Sequence, residues 1–136
     1  MSIRNVMNRR NYLMAMAAAL PAAQLAKGAA APPIQLHCDL FLDPKREKEM
    51  IGNYNKVYLP VIKKQQGFVS VSLLKLRAEN QGKAPKGASH RLIISFQTEE
   101  QRVKWVNTDD HKRVWPSVEN TLLGDKFTAL LYDRVA

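Results

Sequence analysis

One cysteine, Cys38, stands among the 136 residues, so no disulfide can form within the chain and the fold is held by burial alone. Nor can Cys38 be a lipoprotein anchor, because Leu36-His37 before it lacks the small residues of such a cleavage site. There are no spaced cysteine pairs, no Gly-rich phosphate loop and no Ser-His-Asp motif context, which removes zinc, nucleotide-binding and hydrolase readings. No basic run is interleaved with stacking aromatics, so the net charge of +9 does not point to nucleic acid. The clustered bases Lys45, Arg46 and Lys48 alternate with Glu47 and Glu49, as on a solvated helix face. A continuous apolar run of membrane-spanning length, ~20 residues, is missing too.

Acids are absent from the first 30 residues, whereas Arg4, Arg9, Arg10 and Lys27 fall there. Asn8-Arg9-Arg10-Asn11-Tyr12-Leu13-Met14 precedes an Ala-rich apolar stretch, Tyr12 to Ala23, that Pro21, Gln24 and Lys27 cut short. The small residues Gly28 to Ala31 close it. A basic head, a short apolar middle and a small-residue exit make a secretory leader rather than a stable membrane span. Arg9-Arg10 followed by an aromatic and a leucine resembles the twin-arginine signal, with Met14 where lysine is common. The resemblance implies that the twin-arginine export machinery carries a folded protein to the periplasm or the medium. Residues 1–30 are therefore read as the signal peptide, cut after Gly28 or Ala30, and 31–136 as one domain. Without the leader the chain keeps 17 bases against 12 acids, a net +5.

In that domain Ile34 to Leu42 alternates, with Ile34, Leu36, Cys38, Leu40 and Leu42 on one face and Gln35, His37, Asp39 and Phe41 on the other. Period two is a strand with one strongly apolar face. Asp43-Pro44 opens a helix, a capping side chain followed by proline at the first helical position. Met50, Tyr54, Val57/Tyr58 and Val61 form its apolar stripe to about Gln66, with a kink or break expected at Pro60 and Gly67 as the stop. Phe68 to Arg77 is a second strand, Ala78 to Ser89 a loop, and Arg91 to Gln97 a third strand. Thr98 and Gln101 fit a capping box, opening a helix to about Asn107. Asp109 or Asp110 caps a further helical stretch that Pro116 splits and Gly124 closes. A last strand runs from Lys126 to Val135.

The order β-α-β-β-α-β is the ferredoxin-like α+β arrangement, a four-stranded antiparallel sheet with helices on one face. The other face is left for water, a ligand or another subunit.

Several side chains gather chemistry on this frame. His37 and Asp39, two apart on a strand, project from one face, where a carboxylate can hold a histidine in one tautomer as a base. No third ligand has matching local spacing, so no metal site is expected. Arg91 and Ser95 share that open face if the strand register holds. His111 and Trp115 lie four apart on one helical face and Trp105 leans in from the preceding helix. Flat indoles offer a wall for an aromatic ring and the histidine a hydrogen bond. Tyr58, on the first helix, is a similar candidate.

Tyr54-x3-Tyr58-Leu59-Pro60, Gln66-Gly67-Phe68, Ser95-Phe96-x-Thr98-Glu99, Trp105-x5-His111-x3-Trp115 and Leu131-Tyr132 occur in that order. Over Ile34 to Val135 the chain resembles the antibiotic biosynthesis monooxygenase family of dimeric α/β barrels. The resemblance implies a homodimer that closes two open sheet faces into one barrel, with a pocket between sheet and helices. It implies oxygenation of an aromatic, phenolic or quinol compound with no metal or flavin cofactor, or else a non-catalytic ligand-binding or interaction dimer. His37 or His111 would be the base, Asp39 its orienter, and Trp105, Trp115, Tyr58, Arg91 and Ser95 the substrate-binding side chains. The haem-degrading branch carries an asparagine on the first strand and a histidine ten residues beyond the tryptophan. Here His37 and Trp115 stand in those places, so haem cleavage is disfavoured.

Overall fold

The alternating segment forms strand β1, Ile34–Leu42, in a computed structural model that describes residues 31–136. The leader, with Arg9, Arg10 and the cleavage positions after Gly28 or Ala30, lies outside the described residues. β1 is central. Strand β2 (Phe68–Lys75) pairs with β3 (His90–Phe96), and β3 pairs with β1. Along the other edge of β1 run β4 (Leu122–Phe127) and then β5 (Leu130–Asp133). Every pairing is antiparallel. The spatial order is that of a ferredoxin-like α+β fold, with the last strand of that plan present as two pieces.

The four-stranded plan holds, with its fourth strand divided by a break. β4 starts four residues before Lys126, and Gly124, expected to close a helix, lies inside the strand. Gly124 and Asp125 both adopt left-handed backbone, φ 59° and 54°, a conformation open to glycine and tolerated by aspartate. The edge bends there. A second interruption falls at Thr128, whose N–H donates to the Asp39 carbonyl at 3.0 Å and whose Oγ1 accepts from the Asp39 N–H. The register slip between Leu40 and Leu42 belongs to the first interruption, since their partners Phe127 and Leu122 flank Gly124 and Asp125. At the second, a side-chain hydroxyl has replaced a ladder partner, which strand periodicity cannot reveal.

Asp43 caps a short 3₁₀ turn, Pro44–Arg46, its carboxylate accepting from the Lys45 N–H at 3.0 Å. Helix α1 (Glu47–Asn53) follows, then a five-residue π-helical segment, Tyr54–Tyr58, and α2 (Leu59–Ile62). Pro60 does not break this run as expected. Its ring would crowd the carbonyl four residues back, and widening the preceding turn relieves the crowding; the Leu59 N–H now reaches the Tyr54 carbonyl. The wider turn also keeps a strict four-residue spacing on one face, so Met50, Tyr54, Tyr58 and Ile62 are all buried. Val57 and Val61 flank them, partly buried. The helix stops at Ile62, short of Gln66, and Gly67 turns the chain at φ 84°. A side chain there would run into the Gln101 carboxamide.

Thr98 caps α3 (Glu99–Val106), accepting from the Gln101 N–H at 3.1 Å. For α4 (Asp109–Val114) the cap is Thr108, not Asp109 or Asp110; its hydroxyl accepts from the His111 N–H at 3.0 Å. The two aspartates sit in the first turn instead, where carboxylates favour the helix dipole. Trp115 interrupts, and α5 (Pro116–Glu119) carries proline at its start.

These helices lie on the face of β1 that bears Leu36, Cys38 and Leu40. Leu40, Met50, Tyr58, Ile62, Phe96, Val114 and Val118 are sealed there. His90, unremarked in the sequence, is also buried on that side. Its two ring nitrogens meet Ser89 Oγ at 2.8 Å and Glu47 Oε2 at 2.9 Å, and Glu47 in turn holds Lys75 Nζ at 3.0 Å. One carboxylate thereby ties the start of α1 to β3 and β2. No helix of the described residues is long and apolar enough to cross a membrane.

Candidate functional site

Between sheet and helices lies a cavity of about 170 Å³. Its floor is Leu36 and Cys38 of β1, Leu92 and Ile94 of β3, and Phe127 and Ala129 at the β4–β5 break. Its walls are Tyr58, Arg102, Trp105, Val106, His111 and Trp115. The π segment delivers Tyr58, α3 delivers Arg102 and Trp105, and α4 with its following residue delivers His111 and Trp115.

The rings form a continuous wall. Tyr58 meets Trp105 and Trp115 edge-on, centroids 6.2 and 6.0 Å apart, and stacks on Tyr54 at 6.1 Å. His111 stands edge-on to Trp105 at 5.0 Å and lies nearly parallel to Trp115 at 6.3 Å, 22° between planes. Trp115 closes against Phe127 at 5.2 Å. Such edge-to-face pairs hold rings in place beyond the area they bury.

Burial sets the chemistry of this wall. The Tyr58 hydroxyl is pushed well above the ordinary phenol range by burial, which its hydrogen bond with Trp105 only partly offsets. Cys38 is driven up to about 11, first by burial, so its thiol stays protonated and unreactive. His111 is held below 6.5, first by burial and then by the positive Arg102. At neutral pH it is an uncharged imidazole, able to accept a proton. Arg102 is gripped by Glu99 through two bonds, 2.6 and 2.7 Å, and stays charged.

The other expected site residues lie across the sheet. Register places Gln35 opposite Ser95 and Asp39 opposite Arg91, with His37 between them, so all five share the open face as expected. Asp39 does not orient His37 there; it takes Arg91 Nε at 2.8 Å. His37 Nε2 instead contacts Gln35 Oε1 at 3.1 Å, and its ring stands edge-on to Tyr132 at 4.8 Å. Its pKa is lowered by burial and by Arg91, against an opposing pull from Asp39. Ser95 is buried and donates to the Ile34 carbonyl at 2.8 Å, leaving its hydroxyl committed to the backbone. The structure thus brings together Tyr58, Trp105, His111 and Trp115, and sets His37, Asp39, Arg91 and Ser95 on the opposite side of the sheet.

Arg102 and the lining role of Cys38 were not anticipated. The i, i+3 relation of Arg102 to Trp105 on one helix was the available signal. Among the described residues no three His, Cys, Asp or Glu side chains gather as a group that could hold a metal ion.

No protein-family model matches the chain, and no curated protein matches it in sequence. Solved structures do match its fold. A candidate antibiotic biosynthesis monooxygenase from Bordetella bronchiseptica aligns with TM-score 0.63 at 15% identity, over 77% of this chain and 99% of that one. A dimeric ferredoxin-like protein of unknown function from Jannaschia sp. CCS1 aligns with TM-score 0.63 at 9% identity, over 75% and 99%. SnoaB, a cofactor-independent oxygenase from Streptomyces nogalater, aligns with TM-score 0.61 at 12% identity, over 76% and 94%. At such identities the likeness is one of fold. The domain has a ferredoxin-like fold, shared by a candidate antibiotic biosynthesis monooxygenase, a dimeric ferredoxin-like protein and a cofactor-independent oxygenase.

Proposed function

We propose that the domain binds a small aromatic, phenolic or quinol compound in the cavity beneath the helices and oxygenates it with O₂, without a cofactor. The observation that carries this reading is the joining of one neutral, half-buried histidine with two indoles and a phenol around one half-open cavity. The volume favours one ring. An engineered apolar cavity of about 150 Å³ holds benzene, and this one, at about 170 Å³, is of that size.

His111 takes the proton of a hydroquinone hydroxyl, and the ring becomes an electron-rich anion. One electron passes to O₂, giving a ring radical and superoxide, which combine to form a C–O bond at a ring carbon. The resulting peroxide takes a proton back from His111. Cleavage of its O–O bond, with loss of the hydrogen on the same carbon, releases water and leaves a carbonyl. Hydroquinone plus O₂ thus yields hydroxyquinone plus water. The protein contributes orientation and a matched base, the latter worth ~10²–10⁴-fold.

The same proposal includes a homodimer, formed where the open face presents Leu74, Leu130 and Tyr132 to solvent, each about half exposed. It also includes export to the periplasm or beyond, on the strength of the Arg9-Arg10 leader. O₂ consumption with a panel of substituted hydroquinones, paired with mass analysis for one added oxygen atom, tests the reaction. Uptake matched to product supports it. Ring binding without turnover points instead to a non-catalytic ligand-binding dimer, and neither binding nor turnover overturns the reading of the cavity.

A further inference from the structure

The polar groups that reach the cavity are few, and their charge is of one sign. Tyr58 and Cys38 stay neutral because burial resists their ionisation, and His111 is neutral for the same reason. No carboxylate of the described residues lines the space. Among the described residues the only formal charge on its wall is the Arg102 guanidinium, with its side chain 18% exposed.

Glu99 contacts Arg102 through Nε and Nη2. This pins the guanidinium plane while Nη1 keeps no partner among the described residues. The guanidinium is paired with Glu99 and still keeps a spare donor on an otherwise apolar wall. Its field already reaches the cavity interior, since it disfavours protonation of His111 and favours the thiolate of Cys38. A neutral ring would leave that donor unanswered and a cationic ring would be repelled. A ring carrying a negative oxygen would accept a hydrogen bond from it.

We propose that Arg102 is a substrate-binding counter-ion that selects ionisable phenols and holds them in the cavity as phenolates. This rests on the reading of the cavity as an aromatic site and names the class of ring it prefers. Arg102 binds the oxygen from which His111 has removed the proton, so the two residues divide the work. One accepts the proton and the other stabilises the charge left behind. Glu99 is a positioning residue that acts through Arg102.

The experiment uses two probes of similar size on the full chain, 4-nitrophenol, whose ionised form is yellow, and nitrobenzene, which cannot ionise. The expected result is that the protein lowers the apparent pKa of bound 4-nitrophenol by about one unit, equivalent to roughly tenfold tighter binding of the anion than of the neutral phenol. Arg102→Met should abolish that shift and weaken 4-nitrophenol binding by about tenfold, with nitrobenzene affinity little changed; Arg102→Lys should restore part of the shift. The wild-type measurement decides by itself should the Met variant fail to fold. Binding of 4-nitrophenol without a downward shift, while nitrobenzene also binds, overturns the role of Arg102 and leaves the aromatic cavity standing. Failure of the wild-type protein to bind either probe overturns the cavity reading, and this inference with it.

Discussion

The two faces of the sheet each carry one histidine whose pKa is lowered, yet they are different environments. His37 stands beside an Arg91–Asp39 ion pair whose charges pull on it in opposite directions, and its ring nitrogen meets a glutamine. His111 is walled by Trp105 and Trp115, and the one nearby charge that shifts it is Arg102. Among polar neighbours a proton can be shared with side chains and water. In the cavity, a ring substrate would be the principal partner. A lowered pKa therefore does not distinguish a candidate base from a surface histidine; the enclosure around it does.

The sharpest test of that contrast is turnover. His111→Ala should reduce O₂-coupled oxidation by ~10²–10⁴-fold, while His37→Ala leaves it close to wild type, as read by oxygen electrode. Equal losses would place the chemistry at both faces. Stability should divide along the same line. Trp105 is 2% exposed, and Trp105→Ala should cost ~3–5 kcal/mol in urea unfolding, against less than about 0.5 kcal/mol for Leu130→Ala in the monomer.

Placing a charge on the open face, by Leu130→Arg, should lower the sedimenting mass from two chains to one without altering ring binding in the cavity. An unchanged mass would place the subunit contact elsewhere. Glu47→Ala strips the buried His90 of one partner and should lower the unfolding midpoint.

The smallest effect concerns pH. Both His37 and His111 have native pKa values below 6.5, so the unfolded chain binds protons more readily than the native one. Their stabilising contribution is complete above 6.5 and is lost as pH falls through the native values. Replacing both by glutamine should flatten the stability profile between pH 6.5 and the range near 4.5, below which Glu47 and Glu99, with lowered pKa values, take over. A decline of unchanged size would assign that window to other groups.

How much of this was legible depended on how local the signal was. Strand β1 ran as its alternation required, and Thr98 capped α3 as its spacing required, because both are settled within a few residues. The expected pairing of His37 with Asp39 rested on their sharing a face. They do share it, but across the strand lies Arg91, a stronger partner for a carboxylate than an imidazole is. Parity along a strand sorts side chains to faces and says nothing of which neighbour in the next strand competes for them. The cavity wall was read in part, since His111 and Trp115 follow helical spacing and Trp105 lies on the helix before them. Arg102 and His90 escaped because their roles come from long-range neighbours: Arg102 faces the floor of β1 and β3, and His90 is clamped by Glu47, 43 residues earlier.

Pro60 is not among the residues that line the cavity, and yet it governs where one of them points. By forcing the turn before it to open, it adds a residue to the circumference and so sets the angular position of everything upstream relative to everything downstream. Evolution could retune the shape of the chamber from this distant hinge, rotating Tyr58 away and admitting a bulkier guest, with every contacting side chain left as it is.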